Sequence, residues 1–134
     1  MNNSPFIKSN GVESLNIYKQ FLELINYCEM ITAKFPMPNG FALSTNIKNV
    51  VYGCMRNILK TYKCYDITQK MDLLNEIDAD LKMIKVLVRT AYKQKFFNSR
   101  NLRAWSRKLY NIGNILGGWI KSCRKQLEIH SIQN

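Results

Sequence analysis

Apolar residues recur every three or four positions along nearly the whole chain, and few glycines or prolines interrupt them. The 6 glycines and 3 prolines among 134 residues divide the chain into four long segments, each with the period of an α-helix. No stretch of convincing length alternates apolar and polar residues as a half-buried β-strand does. The sequence therefore predicts an all-α protein with helices at about 12–34, 45–64, 67–95 and 99–127.

Each segment carries one apolar stripe, and together the stripes form the predicted core. The first stripe consists of Leu15, Tyr18, Leu22, Ile25 and Cys28. The second consists of Ile47, Val50, Val51, Cys54, Ile58 and Tyr62. The third consists of Ile67, Met71, Leu74, Ile77, Leu81, Ile84, Val88 and Ala91. The fourth consists of Leu102, Trp105, Leu109, Ile112, Leu116, Trp119 and Cys123.

Residues that favour helix ends separate these segments. Pro36, Pro38 and Gly40 end the first helix, because proline removes a backbone donor and Asn-Gly favours a turn. The predicted N-caps are Ser44 or Thr45 for the second helix, Asp66 in a capping box with Gln69 for the third, and Asn98 or Ser99 for the fourth. The short connections favour antiparallel neighbours, so we expect one domain over residues 1–134, an up-down-up-down four-helix bundle.

Composition excludes several classes of protein. Hydrophobic residues make up 46% and charged residues 22%, which is ordinary for a globular domain and unlike a disordered chain. No apolar run approaches the roughly 18 to 20 residues that span a bilayer, and the first eight residues lack a secretory signal. The four cysteines form no C-x-x-C pair, and His130 is the single histidine. We expect a cytoplasmic protein with reduced thiols, no metal and no cofactor.

The charge is strongly positive and unevenly distributed. Lys and Arg number 20 against 9 Asp and Glu, a net charge of +11. Between Leu81 and Leu127 there are twelve basic residues and no acidic one. Most of these basic residues lie at helical spacing on an outward face, and others are their neighbours in the last turns. The predicted nucleic-acid-binding residues are Lys82, Lys85, Arg89, Lys93, Arg100, Arg103, Arg107, Lys121, Arg124 and Lys125.

Two other interpretations of this basic face remain open. A generic soluble surface also carries many lysines and arginines, and an acidic membrane surface attracts cations as nucleic acid does. Besides nucleic-acid binding and a generic soluble surface, the basic face is therefore compatible with a membrane-surface or toxin-like basic bundle. Because a solvated face normally mixes charges of both signs, the acid-free stretch favours binding to a polyanion.

Two adjacent glycines, Gly117 and Gly118, interrupt the predicted fourth helix. Each costs roughly 1 kcal/mol relative to alanine in a helix interior. At 100° per residue they lie off the apolar stripe, Gly118 on the basic face and Gly117 beside it. This predicts close approach of another subunit's helix, a partner protein or a nucleic-acid backbone at Gly117 and Gly118, with Trp119 as the anchor; a local kink or a helix end is the alternative.

Catalytic groups are scarce in this sequence. His130 stands alone near the end, and no nucleophile has a matching base. Asp72, Glu76 and Asp80 step by four along the third helix, a spacing that suits either a divalent ion or a salt-bridge face. No second carboxylate motif answers them, as di-iron bundles require. We therefore expect a protein that is not an enzyme.

Four motifs resemble a known family. They are Ala33-Lys-Phe-Pro36, Phe41-Ala-Leu43, Leu87-Val-Arg-Thr-Ala91 and Ile112-Gly-Asn-Ile-Leu-Gly-Gly-Trp-Ile-Lys-Ser122. They resemble bacterial four-helix-bundle proteins that include Avd, the accessory variability proteins of diversity-generating retroelements. Related proteins are encoded in intervening sequences of bacterial large-subunit rRNA genes. The family positions matched are Arg89, Ile112, Gly113, Leu116, Gly117, Gly118, Trp119 and Ile120.

The resemblance implies a basic bundle that assembles as a ring of five identical subunits. In the retroelement setting such a ring binds the reverse transcriptase and its template RNA or cDNA, and supports mutagenic retrohoming. The alternative is a structural bundle of the rRNA intervening-sequence branch, without strong nucleic-acid binding. The basic excess favours the retroelement member.

Overall fold

The computed structural model describes residues 11–133, with side chains for residues 16–132. The segment considered for a secretory signal and the side chain of Leu15 lie outside these residues. The described chain contains four helices and no strand, which confirms the all-α prediction. The helices are α1 (Gly11–Thr32), α2 (Phe41–Lys63), α3 (Ile67–Lys93) and α4 (Ser99–Gln133).

Each helix packs against two others in a closed circuit. α1 contacts α2 and α4, and α3 contacts the same two helices. Within the described chain, helices on the diagonal do not meet. Tyr27 near the end of α1 donates a hydrogen bond to the backbone oxygen of Asn101 at the start of α4, so these helices run antiparallel. This is the arrangement of a four-helix bundle.

The boundaries of α2 and α4 differ from those predicted. α2 begins at Phe41 rather than near residue 45, and its N-cap is Gly40, without a side-chain hydrogen bond. The backbone nitrogen of Ser44 already donates to Gly40 O at 3.0 Å, so the prediction of a Ser44 or Thr45 cap is wrong. The physical reason is that Gly40, at the end of the preceding turn, already has a helical backbone conformation. The helix therefore begins directly after it. α4 continues past the predicted end at 127 to Gln133.

The predicted caps of α3 and α4 are confirmed. A carboxylate oxygen of Asp66 accepts a hydrogen bond from the backbone N–H of Gln69 at 3.4 Å. The Oδ1 atom of Asn98 accepts one from the N–H of Asn101 at 2.8 Å. The second hydrogen bond of the capping box, from the backbone N–H of Asp66 to the side chain of Gln69, is replaced. The side-chain oxygen of Gln69 instead faces the Sγ of Cys64 at 3.7 Å.

Most of the predicted core positions are buried, but the stripe of α1 was predicted in the wrong register. Leu22 is 40% exposed, whereas its neighbour Phe21 is fully buried. Apolar residues surround so much of α1 that two stripes compete, and packing against α2 and α4 selects one of them. The buried residues of α1 are Ile17, Phe21, Leu24, Cys28, Ile31 and Thr32.

Aromatic rings pack the connections at residues 33–40 and 94–98 against one end of the bundle. Phe35, after α1, stacks on Phe97, after α3, with ring centroids 6.1 Å apart. Phe97 also contacts Trp105 of α4 at 5.4 Å, and Tyr27 meets the same indole edge-on at 6.0 Å. Contacts of this kind contribute about 0.5–1.5 kcal/mol each beyond burial. They fix the start of α4, where the first arginines lie.

Candidate nucleic-acid interface

The ten basic residues predicted from the sequence are all exposed. On α3 they alternate with buried positions: Leu81, Ile84 and Val88 face the core, so the lysines and arginine between them face solvent. Because the apolar stripe of α3 is buried, the cations between its residues point outward. Four of the ten lie on α3 and six on α4.

The cations of α4 form two groups on its outer face. Trp105, Leu109 and Leu116 are at most 1% exposed, and at 100° per residue the cations lie roughly opposite them. One group contains Arg100, Arg103 and Arg107, and the other contains Lys121, Arg124 and Lys125. Fourteen residues of helix, about 21 Å, separate Arg107 from Lys121. The outer face of α4 is therefore two basic patches with a neutral stretch between them.

A groove between α3 and α4 brings the cations of α3 next to α4. It encloses about 230 Å³. Lys85 and Arg89 line it from α3, and Ser106 and Tyr110 line it from α4. Val88 and Leu109 lie in the same groove and are nearly fully buried, so they form an apolar floor. The two helices thus share one surface, which we call the α3–α4 groove.

Ion pairing leaves most of these cations uncompensated. Lys82 pairs with Asp78 one turn earlier on α3. Within residues 16–132, the other nine predicted cations make no ion pair. Exposed pairs of this type contribute little to stability. The basic residues are therefore available to an external polyanion.

The first half of α3 carries the opposite charge. Asp80 is half-buried and accepts a hydrogen bond from Asn57 Nδ2 of α2 at 2.9 Å. Burial raises the pKa of Asp80, the hydrogen bond from Asn57 opposes this, and Glu76 raises the pKa further. No three or more metal-ligating side chains in the described residues lie close enough together to hold a metal ion. Asp80, the last residue of the predicted carboxylate ladder, therefore lies against α2.

Three of the four cysteines are buried in the bundle. Burial raises the pKa of the Cys28 thiol to about 12, although the nearby Trp105 indole opposes the shift. The indole Nε1 itself lacks a hydrogen-bond partner within the described chain, so this influence is weak. Burial also raises the pKa of Cys54 and of Cys123. Thiols held in this protonated form are poor nucleophiles.

Sequence reasoning did not select two further residues of α4. Tyr110 is 64% exposed in the α3–α4 groove. The signal was available, because Tyr110 lies seven residues after Arg103 and so on the same outward face. Lys108 was counted in the basic stretch but not placed in the site. Its Nζ lies 5.3 Å from the centre of the Tyr27 ring of α1, so it also tethers α1 to α4.

The glycine pair and the tryptophan beside it occupy different environments. Gly117 and Gly118 are exposed, and a Cβ added to either would meet nothing within 4 Å. α4 continues to Gln133, so the glycines do not end the helix. Trp119 is 3% exposed in the core of the bundle. It can therefore support this surface from below, whereas the glycines remain open to a neighbouring molecule.

Comparison with known proteins places these features in one family. None of the helices in the described chain combines the length and apolar character needed to cross a membrane. A comparison with curated proteins finds no match. The family profile described as bAvd-like matches residues 15–123, which cover α2 and α3 completely, most of α1 and α4, and the glycine pair. The chain belongs to the bAvd-like family.

Proposed function

We propose that this protein is a non-enzymatic accessory protein of a diversity-generating retroelement that binds nucleic acid through its basic surface. One observation carries the proposal: the acid-free stretch from 81 to 127 presents ten exposed cations on two adjacent helices. Membership of the bAvd-like family supports the accessory role. In this function the protein brings template RNA or cDNA to a reverse transcriptase.

The binding mode follows from the chemistry of the surface. Lysine and arginine neutralise phosphates and release condensed counterions, which gives affinity without a preferred base sequence. The spread of the two patches along α4 suits an extended backbone rather than a compact ligand. Binding should therefore tolerate many sequences and weaken steeply as salt rises.

Titration of a labelled single-stranded oligonucleotide at two ionic strengths tests this function. The logarithm of the affinity falls with the logarithm of the salt concentration, with a slope of about −0.7 for each neutralised phosphate. Six phosphate contacts therefore reduce the affinity about 300-fold between about 50 and about 200 mM salt. No binding at low salt, or equal affinity at both, contradicts the electrostatic mode. The absence of binding would favour the structural rRNA intervening-sequence protein as the alternative.

A matched pair of triple variants locates the surface. Arg100→Gln, Arg103→Gln and Arg107→Gln together should lower the salt slope by about 2. Arg56→Gln, Lys60→Gln and Lys63→Gln remove the same charge from exposed positions of α2, which does not contact α4. Circular dichroism should show both variants folded. Equal losses in the two variants would mean that net charge alone drives binding.

Self-assembly into a ring, with five subunits as the family resemblance implies, is the second part of the proposal. The exposed glycine pair supports it, because a helix-interior glycine with empty space above it allows a neighbouring backbone to approach closely. Gly118→Leu should leave each bundle helical and shift light scattering from the oligomer towards the monomer. Normal assembly of this variant, or a monomeric parent at micromolar concentration, would contradict the interface.

The partner enzyme can be tested separately from nucleic-acid binding. A retroelement protein should be encoded beside a reverse transcriptase gene and a variable-repeat pair, whereas an rRNA-associated protein should not. Co-expression with that reverse transcriptase should give a complex that survives nuclease treatment. If the complex disappears with the nucleic acid, the two proteins meet only through RNA.

A further inference from the structure

Tyr110 has an unusual position for a large aromatic side chain. It is 64% exposed, although most aromatic residues of this chain contribute to the core or to the ring cluster at one end of the bundle. Among described residues 81–127 it is the one exposed aromatic side chain. Nothing within the bundle accounts for that exposure.

The surroundings of Tyr110 combine two kinds of chemistry. Lys85 and Arg89 supply positive charge on the α3 side of the groove, and Val88 and Leu109 supply the apolar floor. Phosphates bind the first kind of group, whereas the flat face of a nucleobase stacks on aromatic and apolar surface. A duplex keeps its bases stacked internally, so it satisfies only the charged part. A single strand satisfies both.

The three other exposed aromatic side chains of the described residues lack this combination. Phe41 is 59% exposed at the first position of α2, outside the acid-free stretch. Tyr65 is 87% exposed in the connection between α2 and α3, next to Asp66 and outside the acid-free stretch. The hydroxyl of Tyr52 donates a hydrogen bond to Glu29, so its neighbourhood carries negative charge. The aromatic ring and uncompensated cations therefore coincide at the α3–α4 groove.

We propose that the α3–α4 groove prefers single-stranded nucleic acid, with an unpaired base stacked on Tyr110 and backbone phosphates at Lys85 and Arg89. This inference rests on the proposed nucleic-acid-binding function and specifies its ligand class. The selectivity comes from stacking, which is independent of salt, whereas the general affinity comes from charge. The two contributions can therefore be separated by experiment.

Competition binding with Tyr110→Ala, Tyr110→Phe and the control Tyr65→Ala tests the inference. The probe is a short labelled oligouridylate, competed by the unlabelled strand or by a duplex of equal length. The parent should prefer the single strand. Tyr110→Ala should weaken single-strand binding about 5- to 150-fold, leave duplex binding within about twofold and keep the salt slope. Tyr110→Phe and Tyr65→Ala should match the parent.

The possible failures are distinguishable. If the parent binds neither strand nor duplex at low salt, the proposed function and this inference both fail. If the parent binds but Tyr110→Ala retains its single-strand affinity, or loses affinity for strand and duplex equally, the stacking site is refuted while electrostatic binding stands. If Tyr110→Ala binds nucleic acid like the parent but no longer binds the reverse transcriptase, Tyr110 belongs to a protein interface and the inference is wrong.

Discussion

Replacing Gly117 and Gly118 by alanine should stabilise the four-helix bundle. Both glycines lie inside α4 and are exposed, and an added Cβ meets nothing within 4 Å. Each glycine costs about 0.8–1.0 kcal/mol relative to alanine, so the double variant should gain about 1.5–2 kcal/mol. With an unfolding entropy of about 2.1 cal/mol/K per residue, the melting temperature should rise by about 5–7 °C.

The measurement is thermal unfolding followed by circular dichroism, at a concentration where light scattering reports monomers. Gly40→Ala is the control with the opposite sign, because its Cβ would lie 2.7 Å from the backbone oxygen of Pro36 and 2.8 Å from Phe35 Cβ. If the double variant melts at or below the parent temperature, the glycines have a role within the bundle. The argument for an external contact at Gly117 and Gly118 would then be wrong.

Three further outcomes follow from individual contacts. The hydrogen bond from Tyr52 lowers the pKa of Glu29, and Lys48 lowers it to a smaller extent. Ionised Glu29 therefore stabilises the fold at pH values above the ordinary carboxyl pKa. This stabilisation is lost as the pH falls through the lowered pKa. Tyr52→Phe should raise the pKa of Glu29 in an NMR titration; an unchanged value would contradict the assignment. Burial raises the pKa of Cys28 to about 12, so a thiol reagent in mild alkali should label half-buried Cys64 first, which mass spectrometry of the native protein would show. Equal labelling rates would mean that the core opens freely. Lys108→Met should remove the attraction to the Tyr27 ring and destabilise the bundle by about 0.5–1 kcal/mol in urea unfolding, whereas an unaffected midpoint would show that the contact contributes nothing.

The sequence by itself determined the helices and the direction of most side chains. Periodicity is a local property, because 3.6 residues per turn place every third or fourth residue on one face. Most of the predicted positions in the stripes of α3 and α4 are therefore buried, and Ile67, Met71 and Leu102 are partly buried. The same arithmetic placed nine of the ten cations on the exposed side, and Arg124 lies beside them. Caps such as Asp66 and Asn98 are also local and were predicted.

Only the tertiary structure decided features that depend on a second helix or on a neighbouring loop. On α1 two apolar stripes compete, and packing buries Phe21 while Leu22 remains 40% exposed. The turn that places Gly40 in helical conformation starts α2 earlier than the side-chain caps indicated. The groove that joins Lys85 to Tyr110 exists because α3 and α4 lie side by side. A period read along one helix contains no information about the distance to the next helix, so the charge pattern could be predicted from the sequence, whereas the α3–α4 groove could not.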